Sequence, residues 1–299
     1  MRSVFFGPNG ARAGWRMVIF FAFVLPGIFL IQSGAKLIPS LKAAAKNNLS
    51  GGARVPLGDI VLQGSALLAI LVAAWFMSKI EHRPFSVYGL PFAGLFGKLF
   101  WQGALWGLAT EALMLSLICV FHGFSVGTLA LGAGGIATYA ALWAIAFVLV
   151  GLQEEFCYRG YVLFTLSSGM GFWPAAILTS IVFGAVHLLN TGENWMGGLE
   201  IVIWALVMCL TVLRTGSIWF AVGFHAAGDF AETFLISVND SGNAARGQLL
   251  HSTMHGPAWL TGGTVGPEAS VFSYLSIALF ALAFSLVVPQ TRAERSSAA

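Results

Sequence analysis

The chain has 299 residues, 9% of them charged and 58% hydrophobic, with a mean hydropathy of +0.83. A soluble domain carries roughly 25% charged residues, so this composition excludes a soluble enzyme and describes an integral membrane protein whose first partner is the lipid bilayer. The net charge is only +3, and its 15 Lys and Arg form no basic run or aromatic-interleaved stripe, which excludes nucleic acid as a partner.

A membrane-spanning helix needs about 20 apolar residues. The sequence predicts eight such stretches, near 15–38, 57–80, 98–121, 136–157, 172–190, 198–213, 217–237 and 270–289. The first follows Arg2, Arg12 and Arg16 and ends near Ser33-Gly34-Ala35, a weak likeness to a signal-peptide cleavage site. Its apolar run is too long for a signal core, so it is expected to remain as an anchor. Residues 158–170 read as a short interfacial helix, and Gly169, Gly171 and Pro174 punctuate the turn into the fifth stretch. The longest loop, 238–269, contains Gly262-Gly263-Thr264-Val265-Gly266-Pro267-Glu268. There Gly266 is expected to cap, Pro267 to start and Glu268 to complement the positive end of the last helix. Cys119, Cys157 and Cys209 lie in apolar stretches without CxxC spacing and imply neither disulfides nor a metal site. No soluble domain or internal repeat is visible, and the only polar tract is the tail after Gln290. The expected fold is therefore one all-α, polytopic membrane domain over 1–299, with about eight helices around a polar intramembrane cavity.

Lys and Arg placement predicts the orientation. With the N-terminus cytoplasmic, the inner segments hold Arg2, Arg12, Arg16, Lys79, Arg83, Lys98, Arg159, Arg214, Arg292 and Arg295. The outer segments hold Lys36, Lys42, Lys46, Arg54 and Arg246, four of them in the first loop. The bias favours both termini on the cytoplasmic side.

Three motifs break the apolar pattern. Glu154-Glu155-Phe156-Cys157-Tyr158-Arg159 places two carboxylates and a guanidinium at membrane depth. Each charge costs at least ~2.5–3.5 kcal/mol there unless paired, hydrated or used in chemistry. Positions four apart on a helix share a face, so Glu155 is expected to pair with Arg159, leaving Glu154 turned inward as a candidate general base. Phe183 and His187 share a face in the same way, as do His225 and Asp229, with Glu232 on the same stripe. The bland alternatives are an internal salt-bridge cluster for the first motif, a hydrogen-bonded core histidine for the second and a polar helix-association stripe for the third.

In this order and on separate helices, EExxxR (Glu154, Glu155, Arg159), FxxxH (Phe183, His187) and HxxxN/D (His225, Asp229) resemble the CPBP intramembrane proteases. This is the CAAX-protease and bacteriocin-processing, or ABI, family, to which the Rce1 prenyl-protein endopeptidases belong. The likeness covers about 136–289, and the Gly-Gly-x-x-Gly-Pro-Glu segment also looks typical of bacterial members. The resemblance implies an eight-helix glutamic endopeptidase with a conical cavity open to the cytoplasm and no metal or other cofactor. It further implies that Glu154 and His187 activate water, that His225 and Asp229 stabilise the oxyanion, and that Glu155, Arg159 and Phe183 support them. Asparagine is common at the position of Asp229. An ionised aspartate only accepts hydrogen bonds, so Asp229 must either be protonated or act by orienting His225.

The implied partner is a membrane-associated protein or peptide substrate, and the bacterial look of 260–270 suggests a prokaryotic plasma membrane. Alternatives are a zinc-dependent intramembrane protease, although HExxH is absent, and a non-enzymatic bacteriocin-immunity or scaffold protein. Glu111, Glu154 and Glu232 would also suit a proton-coupled transporter, but no inverted repeat supports one.

Overall fold

In the computed structural model, which describes residues 6–7 and 10–288, the chain is almost entirely helical. Helix α1 is Ala13–Ala35, α2 Pro39–Leu49, α3 Pro56–Ile80, α4 Lys98–Val120 and α5 Ala133–Glu155. A π-helical turn, Phe156–Val162, carries α5 without a break into α6, Leu163–Met170. Then follow α7 Phe172–His187, α8 Trp195–Thr215 and α9 Trp219–Phe230, the last extended by a second π-helical turn, Ala231–Ile236. A single turn, α10 Ala258–Thr261, and α11 Val271–Val287 complete the bundle. Among the described residues, strands are confined to two short antiparallel pairs, β1 Phe6–Gly7 with β2 Gly10–Ala11 and β3 Phe124–Ser125 with β4 Thr253–Met254.

Among the described residues, five helices are long and apolar enough to cross a membrane: α1, α3, α4, the 38-residue α5–α6 rod and α8. Helices α7 and α11 are shorter but apolar. The protein is thus an all-α polytopic membrane protein. The predicted seventh stretch is α9, which owes its polar face to being central: every residue from Trp219 to Ala226 is buried. Its environment is protein on all sides rather than lipid. Outward-facing Phe29, Leu30, Trp101, Leu105, Leu282 and Leu286 supply an apolar girdle fit for hydrocarbon.

Small residues let the inner helices approach. A Cβ on Gly103 of α4 would strike the Phe220 carbonyl of α9, and one on Gly223 of α9 would strike the Phe100 carbonyl of α4. Such close backbone contact is how helices associate where lipid removes the hydrophobic drive between them. Gly151 of α5 likewise lies against Val222 and Ala226 of α9. Helices α5 and α9, which carry two of the three motifs, are thereby locked side by side.

The connections sort onto two faces. On the face where α1 begins and α11 ends, Arg16 of α1 pairs with Glu81 after α3 at 2.8 Å, and Tyr161 donates to the same carboxylate at 2.8 Å. Arg16 also donates to Ser168 of α6. On the opposite face the long loop after α9 receives hydrogen bonds from three others, Arg54 N to Ala244 O, Ala130 N to Leu249 O and Gly192 N to Gly242 O.

Four expectations are revised. Residues 158–170 are not a separate interfacial helix, because the π turn absorbs the change of register and the rod continues. Residues 39–49, expected as loop, form α2, started by Pro39. Glu268 does not cap the last helix: Ser270 caps it, accepting from Ser273 N, while Glu268 accepts from Ser241 N at 2.7 Å and Ser241 Oγ at 2.9 Å. Gly266 does precede a proline-initiated turn, but that turn is a separate 3₁₀ segment, Pro267–Ala269. Arg2, Arg292, Arg295 and the polar tail after Gln290 lie outside the described residues.

Candidate active site

Helices α5, α7 and α9 bring the three motifs into one place. Glu154 stands at the end of α5 and lines a cavity of about 340 Å³ together with Phe183, His187, His225 and Asp229. Its Oε2 lies 3.9 Å from His187 Nε2 and 3.8 Å from His225 Nε2, and it is buried without a hydrogen-bond partner. An acceptor held just beyond hydrogen-bond reach of two imidazoles leaves room for a third polar group among them.

Glu155 points away from the cavity. As its spacing predicts, it pairs with Arg159 at 3.1 Å, and both side chains are essentially sealed, 0% and 1% exposed. The guanidinium lies against two aromatic rings, 4.2 Å from the Phe183 centroid and 5.1 Å from that of Trp204, a cation–π arrangement favoured where water is excluded. The same Glu155 Oε1 also contacts His225 Nδ1 at 2.9 Å. Glu155 therefore serves Arg159 and His225 together, and it rather than Asp229 sets the orientation of the His225 ring.

The π-helical turn begins directly after Glu155. Such turns recur at functional sites because they shift the register of side chains without ending a helix. The second one begins just after Asp229 and carries Glu232. Asp229 Oδ2 lies 3.5 Å from His225 Nε2, on the ring nitrogen opposite the one held by Glu155.

His187 is fixed independently. Its Nδ1 donates to the Phe183 carbonyl at 2.8 Å, and its ring packs 4.4 Å from the Phe183 ring. With the proton on Nδ1, a neutral His187 presents the Nε2 lone pair toward Glu154. The FxxxH spacing thus fixes a tautomer through the backbone and an orientation through the ring.

The remaining wall of the cavity is acidic. Glu111 of α4, Glu200 of α8, Glu232 and Glu268 line it, along with Asp59 and Asp240. Arg54 forks onto Asp59, with Nε at 3.0 Å and a terminal nitrogen at 2.9 Å from Oδ2. Burial pushes the Glu268 carboxyl, outside the membrane-spanning helices, well above the usual carboxylate range, and neighbouring Asp240 adds to the effect. Among the described residues, no three His, Cys, Asp or Glu side chains are gathered closely enough to hold a metal ion.

Sequence reasoning missed Trp204, which backs both Arg159 and His225, the latter at 4.8 Å between ring centroids. A tryptophan in an apolar span has no signal separating this role from lipid contact. It also passed over Glu200, which the expense of an intramembrane carboxylate could have flagged.

The cavity is lined by Asn48 at the end of α2, by Arg54, Asn190 and Ser241 of the loops, and by Glu268, all on the face opposite the start of α1 and the end of α11. The cavity thus reaches toward that face.

Residues 136–231 match the Rce1-like family, described as type II CAAX prenyl endopeptidase. The match runs from the start of α5 to the first residue beyond α9 and so contains all three motifs. The chain is also 26% identical over 270 residues to the uncharacterized protein YyaK of Bacillus subtilis (strain 168), covering 84% of this chain and 87% of that one. No solved structure matches.

Proposed function

We propose, from the match of residues 136–231 to the Rce1-like family of type II CAAX prenyl endopeptidases, that this chain is an intramembrane endopeptidase that hydrolyses membrane-associated proteins or peptides with a glutamate-activated water. The observation that carries the proposal is Glu154 Oε2, buried, without a hydrogen-bond partner and flanked by His187 and His225 nitrogens at 3.9 and 3.8 Å.

In this mechanism a water enters beside Glu154 and His187. Glu154 takes one proton, and the hydroxyl oxygen bonds to the scissile carbonyl carbon, whose oxygen becomes the oxyanion. A general base in such reach contributes about 10²–10⁴ in rate. The oxyanion forms against His225 and Asp229. Because Glu155 occupies the Nδ1 side, His225 donates from Nε2 only as the doubly protonated ring, and Asp229 donates only as the neutral acid. Collapse of the intermediate breaks the C–N bond, and the proton held by Glu154 passes to the leaving amine. Glu155, Arg159, Phe183 and Trp204 act by positioning the two histidines.

For location we propose a prokaryotic plasma membrane with both termini cytoplasmic. Among the described residues, and leaving aside Arg16, Arg54 and Arg159, which pair with acids, Arg12, Lys79, Arg83, Lys98 and Arg214 lie on the face where α1 begins, against Lys36, Lys42, Lys46 and Arg246 on the other. The cavity mouth then opens to the outer side, in place of the cytoplasmic mouth expected from the resemblance.

The test is comparative proteomics of membranes from cells carrying wild type or Glu154→Ala. The expected result is a set of peptide fragments present only with wild type, which names the substrate and shows whether it is prenylated. Identical fragments in both would contradict the proposal.

A further inference from the structure

The wall facing the catalytic pair carries four carboxylates that the hydrolytic mechanism does not use. Glu111, Glu200, Glu232 and Glu268 come from four different elements, α4, α8, the π turn after α9 and the 3₁₀ turn before α11, and all line the same cavity as Glu154. Two are partly satisfied by serines: Glu200 accepts from Ser273 Oγ at 2.7 Å, and Glu268 from Ser241. The other two are not. Glu232 is 2% exposed and its Oε1 has no hydrogen-bond partner, and Glu111 Oε2 is buried in the same condition. Buried polar atoms are nearly always paired, so an orphan carboxylate oxygen aimed into a cavity points to a ligand that pairs it.

The cavity holds no counter-charge for these acids. Among the described residues that line it, the one arginine, Arg54, is committed to Asp59, His225 contacts Glu154, Glu155 and Asp229, and His187 Nε2 faces Glu154. Carboxylates that share one poorly hydrated chamber cannot all ionise without a cation among them. The cation is not a bare metal ion, because no three of these groups converge closely enough to bind one. A group with several N–H donors spread over a few ångströms fits instead: a lysine ammonium or an arginine guanidinium, each able to donate to more than one acid.

We propose that Glu111 and Glu232, supported by Glu200 and Glu268, form a subsite for a lysine or arginine side chain of the substrate, so that the enzyme selects peptides carrying a basic residue near the scissile bond. This rests on the cavity being the peptide-binding site and adds a specificity to it. A buried carboxylate pairing with a cation also excludes wrong partners, since an acidic residue there would meet like charge.

The test measures binding, so that it stands apart from cleavage. Purified full-length Glu154→Gln protein in lipid nanodiscs is presented with a positional-scanning set of fluorescent, N-acetylated and C-amidated apolar octapeptides bearing one Lys, Arg, Gln or Glu at each position. The expected result is that, at one or two positions, Lys and Arg peptides bind about tenfold or more tighter than Gln peptides, the scale of one hydrogen bond to a charged group. Adding Glu232→Gln or Glu111→Gln, each near-isosteric, should bring the Lys and Gln series together. Equal binding of Lys and Gln peptides by the protein with both acids intact would overturn the proposal without any further variant. A Lys preference that persists in both double variants would overturn the assigned site, and so would stoichiometric uptake of Zn²⁺ or Ca²⁺ that Glu232→Gln abolishes. If basic peptides bind as expected but wild type cleaves none of them, the subsite stands and the hydrolytic proposal fails.

Discussion

On the face where α1 begins and α11 ends, Glu81 has both carboxylate oxygens engaged, one by Tyr161 and one by Arg16, each at 2.8 Å. In the cavity, Glu154 Oε2 has no hydrogen-bond partner and two histidine nitrogens just out of reach. Both acids belong to ionic clusters that join helices distant in sequence, yet only the first is saturated. Glu81 ties α1, α3 and the α5–α6 rod together, and nothing remains for it to accept. Glu154 is held in place by its helix, so an oxygen stays open for a proton. In the proposed mechanism an open oxygen beside two histidines is what separates a working carboxylate from a structural one, and each prediction below tries to break that distinction.

The largest expected effect is on chemistry alone. Glu154→Ala and His187→Ala should each lower cleavage by about 10²–10⁴, the range for a general base. Their thermal unfolding in detergent should match wild type, because Glu154 Oε2 makes no hydrogen bond and His187 gives up only its bond to the Phe183 carbonyl. Cleavage rates and unfolding midpoints, measured on the same preparations, check both halves.

Glu155 belongs to both classes, which the sequence did not foretell. Its removal leaves Arg159 sealed and unpaired, a cost of about 3–5 kcal/mol, and also releases His225 Nδ1. Glu155→Ala should therefore lose stability and activity together. Glu155→Gln should recover much of the stability, because its amide oxygen still accepts a hydrogen bond. Denaturation curves alongside cleavage rates resolve the two losses.

Asp229 should give a smaller loss. Asp229→Ala removes one group beside His225 Nε2 and is expected to cost about 10²–10³ in rate, the scale of one oxyanion donor. If Asp229 donates as a neutral acid, Asp229→Asn keeps a donor, retains activity and extends it to higher pH. If it acts as an ionised acceptor, asparagine should impair the enzyme nearly as much as alanine. pH–rate profiles of the three proteins separate these roles.

Glu81→Gln gives the smallest effect and the reverse pattern. It should lower stability by about 1–3 kcal/mol, the value of a hydrogen bond to a charged group, with cleavage per folded molecule unchanged. An inactive yet stably folded Glu81→Gln would erase the contrast between the two clusters.

Much of this was legible because charge inside hydrocarbon is expensive and therefore conspicuous. The spacing of Glu155 and Arg159 foretold their 3.1 Å pair, and that of Phe183 and His187 foretold ring contact at 4.4 Å. What helical spacing could not foretell was long-range: Glu155 reaching His225, Trp204 backing both, and the faces on which the loops meet. The π turns were also invisible, because inserting a wider turn after Glu155 leaves composition unchanged while moving every later side chain. The role assigned to Glu268 failed for a related reason. A carboxylate next to a helix start reads as a cap, but the backbone of Ser241, 27 residues away in sequence, claims it first.

Glu154 as the proton acceptor is the claim on which the rest depends, and one comparison addresses it most directly. Wild type and Glu154→Gln, purified and reconstituted in proteoliposomes, are assayed on the substrate that membrane proteomics identifies, with thermal unfolding recorded for each. The expected result is cleavage by wild type, unaffected by chelators, and its loss in a Glu154→Gln protein that unfolds at the wild-type temperature. Cleavage at the wild-type rate by folded Glu154→Gln would contradict the mechanism.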